Sequence, residues 1–327
     1  MSKGKPIGVV LFQLGGPDSL QSVEPFLYNL FCDPDIIDLP LAFVFRKPLA
    51  RLISRRRAPK VQEYYRRIGS RSPILKLTQR QAAALQRELE ASLNARVFVA
   101  MRYWHPFTEE VLEQVVHQGI ERVVLLPLYP QYSKTTTGSS LNEWNRLVHQ
   151  RGGRRIHTEV IEEYCDHPSY IASIVRNVSI ALNRVPAADR SRVHLVFSAH
   201  GIPVRLVREG DPYQQQILRT YRAVVEHGRF GLPHHLCFQS KVGPQRWLEP
   251  SLLTTVDRLA SEHASHIIVI PTAFVSDHSE TLYEINMEVR RHALERGIRY
   301  YDMSPALNAG PLFIQALADL VRKKVNL

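Results

Sequence analysis

One histidine and a row of carboxylates have the types and spacing to handle protons or a metal ion. His200 closes the apolar run Val193-His-Leu-Val-Phe-Ser-Ala-His200. An imidazole titrates near neutral pH, so it can accept a proton or bind a borderline metal; it can equally be a satisfied core residue. Further along, Asp277 precedes Glu280, and Glu284 and Glu288 follow at four-residue spacing. On a helix this places the three glutamates on one face, with Asp277 as N-cap and Glu280 as its N3 partner. Like charges so spaced oppose folding slightly, so the row is either a solvated acidic face or a path for a divalent cation. It begins where the strand-like run His266-Ile-Ile-Val-Ile-Pro271 ends, and parallel α/β sheets bind ligands at that end of their strands.

Other side chains suited to binding also follow strand-like runs. Leu14 follows the first run, Arg102 and Tyr103 follow Val97–Met101, and Tyr129 and Tyr132 follow Pro127. Lys241 and Trp247 follow the run around Cys237, and Phe274 follows Pro271. Parallel strands gather such positions along one rim. Two rims facing each other would enclose a cleft with aromatic walls, basic groups on one side and His200 near Glu280. That is a pocket for a flat apolar molecule carrying acidic groups.

The elements needed to position these residues are legible as short apolar runs alternating with helical patterns. Strands are predicted from Ile7 and near Arg96–Met101, Arg122–Leu126, Arg192–Phe197, His234–Phe238 and His266–Ile270. The helices between them include Ser279–Arg296, and a last one spans Pro311–Lys324. The chain also repeats itself weakly. Ile7-Gly-Val-Val-Leu-Phe-Gln-Leu-Gly-Gly-Pro17 matches Val193–Pro203 with Leu14 opposite His200, and Arg122–Pro127 matches His266–Pro271. The fold class is therefore α/β, with two domains of similar plan and parallel sheets. We place them at 1–163 and 164–303, followed by a C-terminal segment 304–327. The first half carries surplus residues over about 18–72. Within them Leu39–Phe45 is apolar and is followed by Arg46, Lys47, Arg51 and Arg55-Arg-Arg57, which suits a membrane interface, a pocket lip or a helix packed on its own domain.

Composition sets bounds. The 327 residues are 44% hydrophobic and 22% charged, as in ordinary globular proteins. No apolar run is long enough to span a bilayer, and Met1–Pro6 leaves no room for a signal peptide before the first strand. Three scattered cysteines fit a reducing cytoplasm. The net charge of +11 favours anionic partners, yet no nucleic-acid-binding signature accompanies it. Gly15-Gly-Pro17 is no dinucleotide fingerprint, and neither a P-loop nor a GxSxG elbow occurs. Thr135–Ser140 reads as an anion cradle or, through Ser140 and Glu143, as a capping box.

Taken in order, the motifs resemble ferrochelatase almost end to end. They are Leu14-Gly-Gly-Pro17, Arg57-Ala-Pro-Lys60, Tyr64–Gly69, Ser72-Pro73 and Arg102-Tyr-Trp-His-Pro106. They continue with Tyr129–Ser133, Thr137–Ser140, Ser198–Pro203, Gly210–Tyr213, Gln239–Pro244, Trp247-Leu248 and Phe274–Glu284. The resemblance implies two flavodoxin-like, chelatase-type domains related by a pseudo-twofold axis, with an active-site cleft between them and a C-terminal helix packing back across. It implies insertion of Fe²⁺ into protoporphyrin IX to form protohaem, the last step of haem biosynthesis. His200 and Glu280 are then the catalytic and metal-handling pair, and Asp277, Glu284 and Glu288 the acidic path. Leu14, Arg57, Ser72, Arg102, Tyr103, Tyr129, Trp247, Phe274 and His278 contact the porphyrin, and 39–57 forms the pocket lip.

Departures inform too. Animal members hold a [2Fe–2S] cluster with four cysteines, whereas this chain has Lys134 where one of them stands, so no cluster or other prosthetic group is expected. Gln13-Leu14 stands where coproporphyrin-using members place a tyrosine, which favours protoporphyrin. Coproporphyrin, another tetrapyrrole and metal, and a non-catalytic porphyrin carrier stay as alternatives. The expected setting is cytoplasmic, with peripheral membrane contact through the lip and oligomeric state left open.

Overall fold

The computed structural model describes residues 5–36, 42–150, 156–241 and 245–326. The chain divides into two compact units, Met1–Glu163 with Ile314–Leu327, and Tyr164–Phe313. The first runs β1 (Ile7–Gln13), α1 (Val23–Cys32), α2 (Ala42–Arg67), α3 (Ile74–Glu90), β2 (Ala95–Met101), α4 (Thr108–His117), β3 (Arg122–Pro127), α5 (Ser139–Gln150) and β4 (His157–Val160). The second runs α6 (Pro168–Arg184), β5 (Val193–His200), α7 (Val204–Arg208), α8 (Tyr213–Gly228), β6 (His234–Gln239), α9 (Leu252–Ser261) and β7 (His266–Pro271). A π-helix over Glu280–Val289 continues into α10 (Arg290–Glu295), followed by β8 (Tyr300–Met303); most of the last helix, α11 (Pro311–Val325), belongs to the first unit.

Among the described residues the strands form two four-stranded sheets, β2-β1-β3-β4 and β6-β5-β7-β8, with every pair parallel. The shared order is what the internal repeat predicts. Pro106 and Pro250, which also match in the repeat, each follow a cis peptide bond. Their carbonyls accept the N–H groups of Met101 and Phe238 at 2.7 and 2.9 Å.

Central strands read as continuous apolar runs because helices cover both faces. In the first unit Val10, Phe12, Phe98, Val123 and Leu125 pack against Val111 and Leu112 of α4 and Trp144 and Leu147 of α5. In the second, Val196, Cys237, Ile267 and Val269 meet Val256 and Leu259 of α9, Ile285 and Val289 of the π-helix and Ala293 of α10. Ala199 and Phe238 share a further cluster with Leu206 of α7 and Tyr213 and Ile217 of α8.

Two features depart from the sequence reading, and a third settles an alternative it left open. Strands β4 and β8 are four residues long and lie at sheet edges, so neither an apolar run nor a clear alternation marks them. The helix predicted from Ser279 is π-helical for its first ten residues, a rare form that clusters at functional sites. Its buried residues are Thr281, Tyr283, Ile285 and Val289, of which Thr281, Ile285 and Val289 fall four apart, a spacing an α-helix would share. The surplus over 18–72 contains α1 and α2, whose Val23, Phe26, Leu27, Phe31, Ala50, Ala58 and Tyr65 pack in one cluster with Tyr103. The lip begins outside the described residues, at 39–41.

Trp144 is fully buried, meets Phe12 edge-on at 6.1 Å and donates Nε1–H to Thr158 at 3.3 Å. Trp144→Ala should destabilise the protein by about 3–5 kcal/mol. Val116→Ala, at an exposed position of α4, should stay within about 0.5 kcal/mol. Urea unfolding midpoints measure both.

Candidate active site

The order of the second sheet reverses between β5 and β7, and the crevice beyond the carboxyl ends of such strands is where ligands bind. Three chain segments deliver side chains there. His200 is the last residue of β5 and pairs in register with Gln239, the last of β6, so Ser240 follows beside it. The turn after β5 runs so close that a Cβ on Gly201 would lie 3.0 Å from the Gln239 carbonyl, which explains the glycine. The segment after β7 carries Phe274, His278 and Glu280.

Glu280 is the hub. Its Oε2 lies 2.8 Å from His200 Nδ1 and accepts from Gln239 Nε2 at 3.3 Å and Ser240 Oγ at 3.2 Å. Its Oε1 lies 3.7 Å from His278 Nε2. Ser198 Oγ donates to Gln239 Oε1 at 3.0 Å, which turns the amide's N–H towards Glu280. Ser240 Oγ also lies 3.0 Å from Glu284 Oε2, so one hydroxyl spans two carboxyl groups and donates its single hydrogen to either. It does so with φ at +61°, a left-handed backbone that costs a non-glycine residue about 1–2 kcal/mol. Tyr213 O–H donates to the His200 carbonyl at 2.9 Å. Trp247 and Phe274 stand edge-on to the His200 ring at 6.4 and 6.3 Å.

Burial by itself would push the Glu280 carboxyl up, but the imidazoles of His200 and His278 overcome it and hold it well below the usual range. Burial would likewise lower both histidines, and the Glu280 carboxylate instead raises them. Glu284 behaves differently. Burial first and the Glu280 charge second push it up to about 7, against the Ser240 hydrogen bond. A solvated acidic face is therefore not what Glu280 and Glu284 form. The His200 side chain is 37% exposed, and its Nε2 is the ring nitrogen that Glu280 does not engage. The arrangement can accept a proton at His200, stabilise the imidazolium through Glu280, and hold a further proton at Glu284. With Glu280 it also offers nitrogen and oxygen donors to a borderline cation.

Asp277 does not cap the helix as predicted: there is no side-chain cap at the start of the π-helix. Instead Asp277 accepts from Thr281 Oγ1 at 3.1 Å and Asn308 Nδ2 at 3.0 Å. Glu288 is half-buried further along the same element. Val242–Pro244 of the Gln239 motif lie outside the described residues.

In the first unit, Leu14, Arg102, Tyr103 and Tyr129 follow β1, β2 and β3 as predicted. Asp33, which the sequence did not single out, organises this end. Its buried carboxylate takes Arg102 Nη2 at 3.0 Å, Tyr103 O–H at 2.5 Å and the hydroxyl of Ser139, while Arg102 Nε donates to Ser139 at 2.8 Å. Tyr103 is only 1% exposed and belongs to the core cluster around α1 and α2. Burial pushes its phenol up, as it does the phenol of half-buried Tyr129. Ser72 N–H donates to the Pro17 carbonyl at 2.7 Å, and a Cβ on Gly16 would lie 2.5 Å from Ser72 Oγ. Arg57 is exposed on α2, 5.6 Å over the Phe31 ring. The Ser140–Glu143 capping box is absent. Helix α5 starts at Ser139 after a π-turn over Lys134–Gly138 capped by Ser133, and Glu143 pairs with Arg146.

A carboxyl raised by burial costs stability once it ionises, at pH above its folded value, and nothing below its ordinary 4.5. Glu284→Gln should therefore stabilise the protein by on the order of 3 kcal/mol well above pH 7. The gain should shrink as pH falls towards 4.5; urea midpoints across that range test it.

Comparisons with known proteins point the same way. A family model for ferrochelatase matches residues 6–325. A ferrochelatase of Geotalea uraniireducens is 47% identical over 319 residues, covering 97% of this chain and 98% of that protein. One of Aquifex aeolicus is 43% identical over 318 residues, with 97% and 99% covered. Among solved structures, SirB from Bacillus subtilis with Fe³⁺ has a TM-score of 0.56 at 12% identity, covering 98% of this chain and 95% of its own. CbiX, a terminal enzyme of sirohaem biosynthesis, scores 0.51 at 12% identity, with 98% and 99% covered. At that identity the structures speak for the chelatase fold alone. The sequence matches, which span nearly the whole chain, make it a member of the ferrochelatase family.

Proposed function

We propose that the protein inserts Fe²⁺ into protoporphyrin IX, giving protohaem and two protons. The observation that carries this reading is the 2.8 Å His200–Glu280 contact, linked by one hydroxyl to a second carboxyl poised at about 7. A flat porphyrin presents its inner N–H groups poorly to a metal. A pocket that binds a puckered macrocycle better than a flat one lowers the barrier by differential binding. Two N–H protons leave as the iron substrate enters, and no electron moves, so the reaction requires no [2Fe–2S] cluster.

In this scheme His200 Nε2 takes a pyrrole proton and Glu280 stabilises the resulting imidazolium. The same pair offers the iron its first protein contact. Ser240 can donate to whichever carboxylate is ionised while accepting from the other once that one is protonated, so a proton can pass between Glu280 and Glu284 and on along the row to Glu288. Trp247, Phe274, His278, Leu14 and Tyr129 contact the macrocycle, and Arg57, Ser72 and Arg102 serve its propionates. Tyr103 acts through Asp33, which holds Arg102 in place. Leu14 gives additional carboxylates no hydrogen-bond partner, which suits protoporphyrin over coproporphyrin.

We place this activity in the cytoplasm with peripheral contact to an anionic membrane. Among the described residues no helix is long and apolar enough to cross a bilayer. Helix α2 exposes Phe45 and Leu52 among Lys47, Arg51 and Arg55, beside a groove of about 460 Å³ floored by Tyr28. Such a surface suits adsorption to anionic lipid.

Under anaerobic conditions, protein mixed with protoporphyrin and Fe²⁺ should develop the haem absorption spectrum; a carrier would show bound porphyrin alone. His200→Ala should lower turnover by about 10²–10⁴-fold while porphyrin binding, followed by fluorescence, stays near the parental value. Retained turnover would remove His200 from the mechanism.

A further inference from the structure

The segment between β7 and the π-helix delivers Phe274, His278 and Glu280, yet it lies beyond the sheet ladder that orders its start. Its stretch around Asp277 is tied down from the loop between β8 and α11. Asn308 N–H donates to the Val275 carbonyl at 2.7 Å. Its side chain then grips Asp277 twice: Oδ1 accepts the Asp277 N–H at 3.1 Å, and Nδ2 donates to Asp277 Oδ2 at 3.0 Å. Asp277 Oδ1 accepts from Thr281 Oγ1 at 3.1 Å, and Thr281 Oγ1 accepts the His278 N–H at 3.0 Å. His278 in turn donates Nδ1–H to the Ser276 carbonyl at 3.0 Å, which aims Nε2 at Glu280.

Asparagine suits this position on two counts. Its amide offers a donor and an acceptor side by side, matching a carboxylate and a peptide N–H at once. It also tolerates the left-handed backbone found here, with φ at +44°. Asp277, for its part, has both oxygens engaged in holding the chain.

We propose that Asn308 is a positioning residue for metallation, acting through Asp277 as a strut that sets His278 and Glu280 against His200. This rests on the proposed function for its activity readout. It also assigns Asp277 a mechanical role instead of a place on the acidic path.

A reciprocal exchange in the full-length protein tests it. Asn308→Asp sets two carboxylates face to face; kcat should fall about 10–100-fold, with porphyrin KM within about twofold and far-UV circular dichroism unchanged. Adding Asp277→Asn restores a donor opposite an acceptor, so the double variant should recover to within a few-fold of the parent. An acidic-path role needs the charge at 277, so a double variant no better than Asn308→Asp overturns the proposal. So does an Asn308→Asp variant with parental kcat. Should Asn308→Asp not fold, Asn308→Gly keeps the left-handed backbone and loses only the grip, and its kcat must fall with KM held. If the parent makes no haem, the metallation reading fails by itself. The strut is then read by hydrogen exchange, with the Asp277 and His278 amides protected in the parent and the double variant and exposed in Asn308→Asp.

Discussion

A carboxylate taken out of water stays charged only if other groups replace the solvent it has lost. Glu280 meets that condition with two imidazoles, an amide and a hydroxyl, and most of the second unit's local structure can be traced to supplying them. The imidazole of His200 comes from the end of β5, the amide and hydroxyl from the end of β6, and Glu280 itself from the start of the π-helix. Parallel strands in register bring the first three to one level, and the sheet's change of direction opens room for a ligand beside them. Gly201 and the left-handed Ser240 are local costs of that convergence.

The imidazoles of His200 and His278 push Glu280 down, whereas burial first and the charge on Glu280 second push Glu284 up. Two like groups thereby become unlike, one an ion at neutral pH and the other ready to gain or lose a proton there. The π-helix keeps the glutamates one residue ahead of the buried row Thr281, Ile285 and Val289. The carboxylates thus run along the margin of the core, neither fully solvated nor fully enclosed.

The first unit solves the same problem for another buried carboxylate. Arg102 is held by the buried Asp33, and Asp33 is in turn satisfied by Tyr103 and Ser139. A guanidinium anchored through Nε and Nη2 keeps a defined orientation.

The central strands, the repeat, the placement of side chains after strands and the family were all legible in the sequence. Each depends on local patterns: apolar runs for doubly covered strands, and motifs in fixed order. His200, Glu280 and Glu284 could be named because unusual residue types stood where such sheets bind ligands. Only the tertiary structure decided which of the candidates act together. Asp33 looks like any acid after a helix until Arg102 and Tyr103, far away in sequence, bury it. Asp277 has the spacing of a cap, but Asn308 and Thr281 claim its oxygens. Residues four apart are compatible with α- and π-helix alike, so the form of the helix had to wait for its packing. Short edge strands carry too few apolar residues to announce themselves. The division follows from range: a pattern along the chain records what each segment must bury, whereas a hydrogen bond or a pKa belongs to neighbours that only folding brings together.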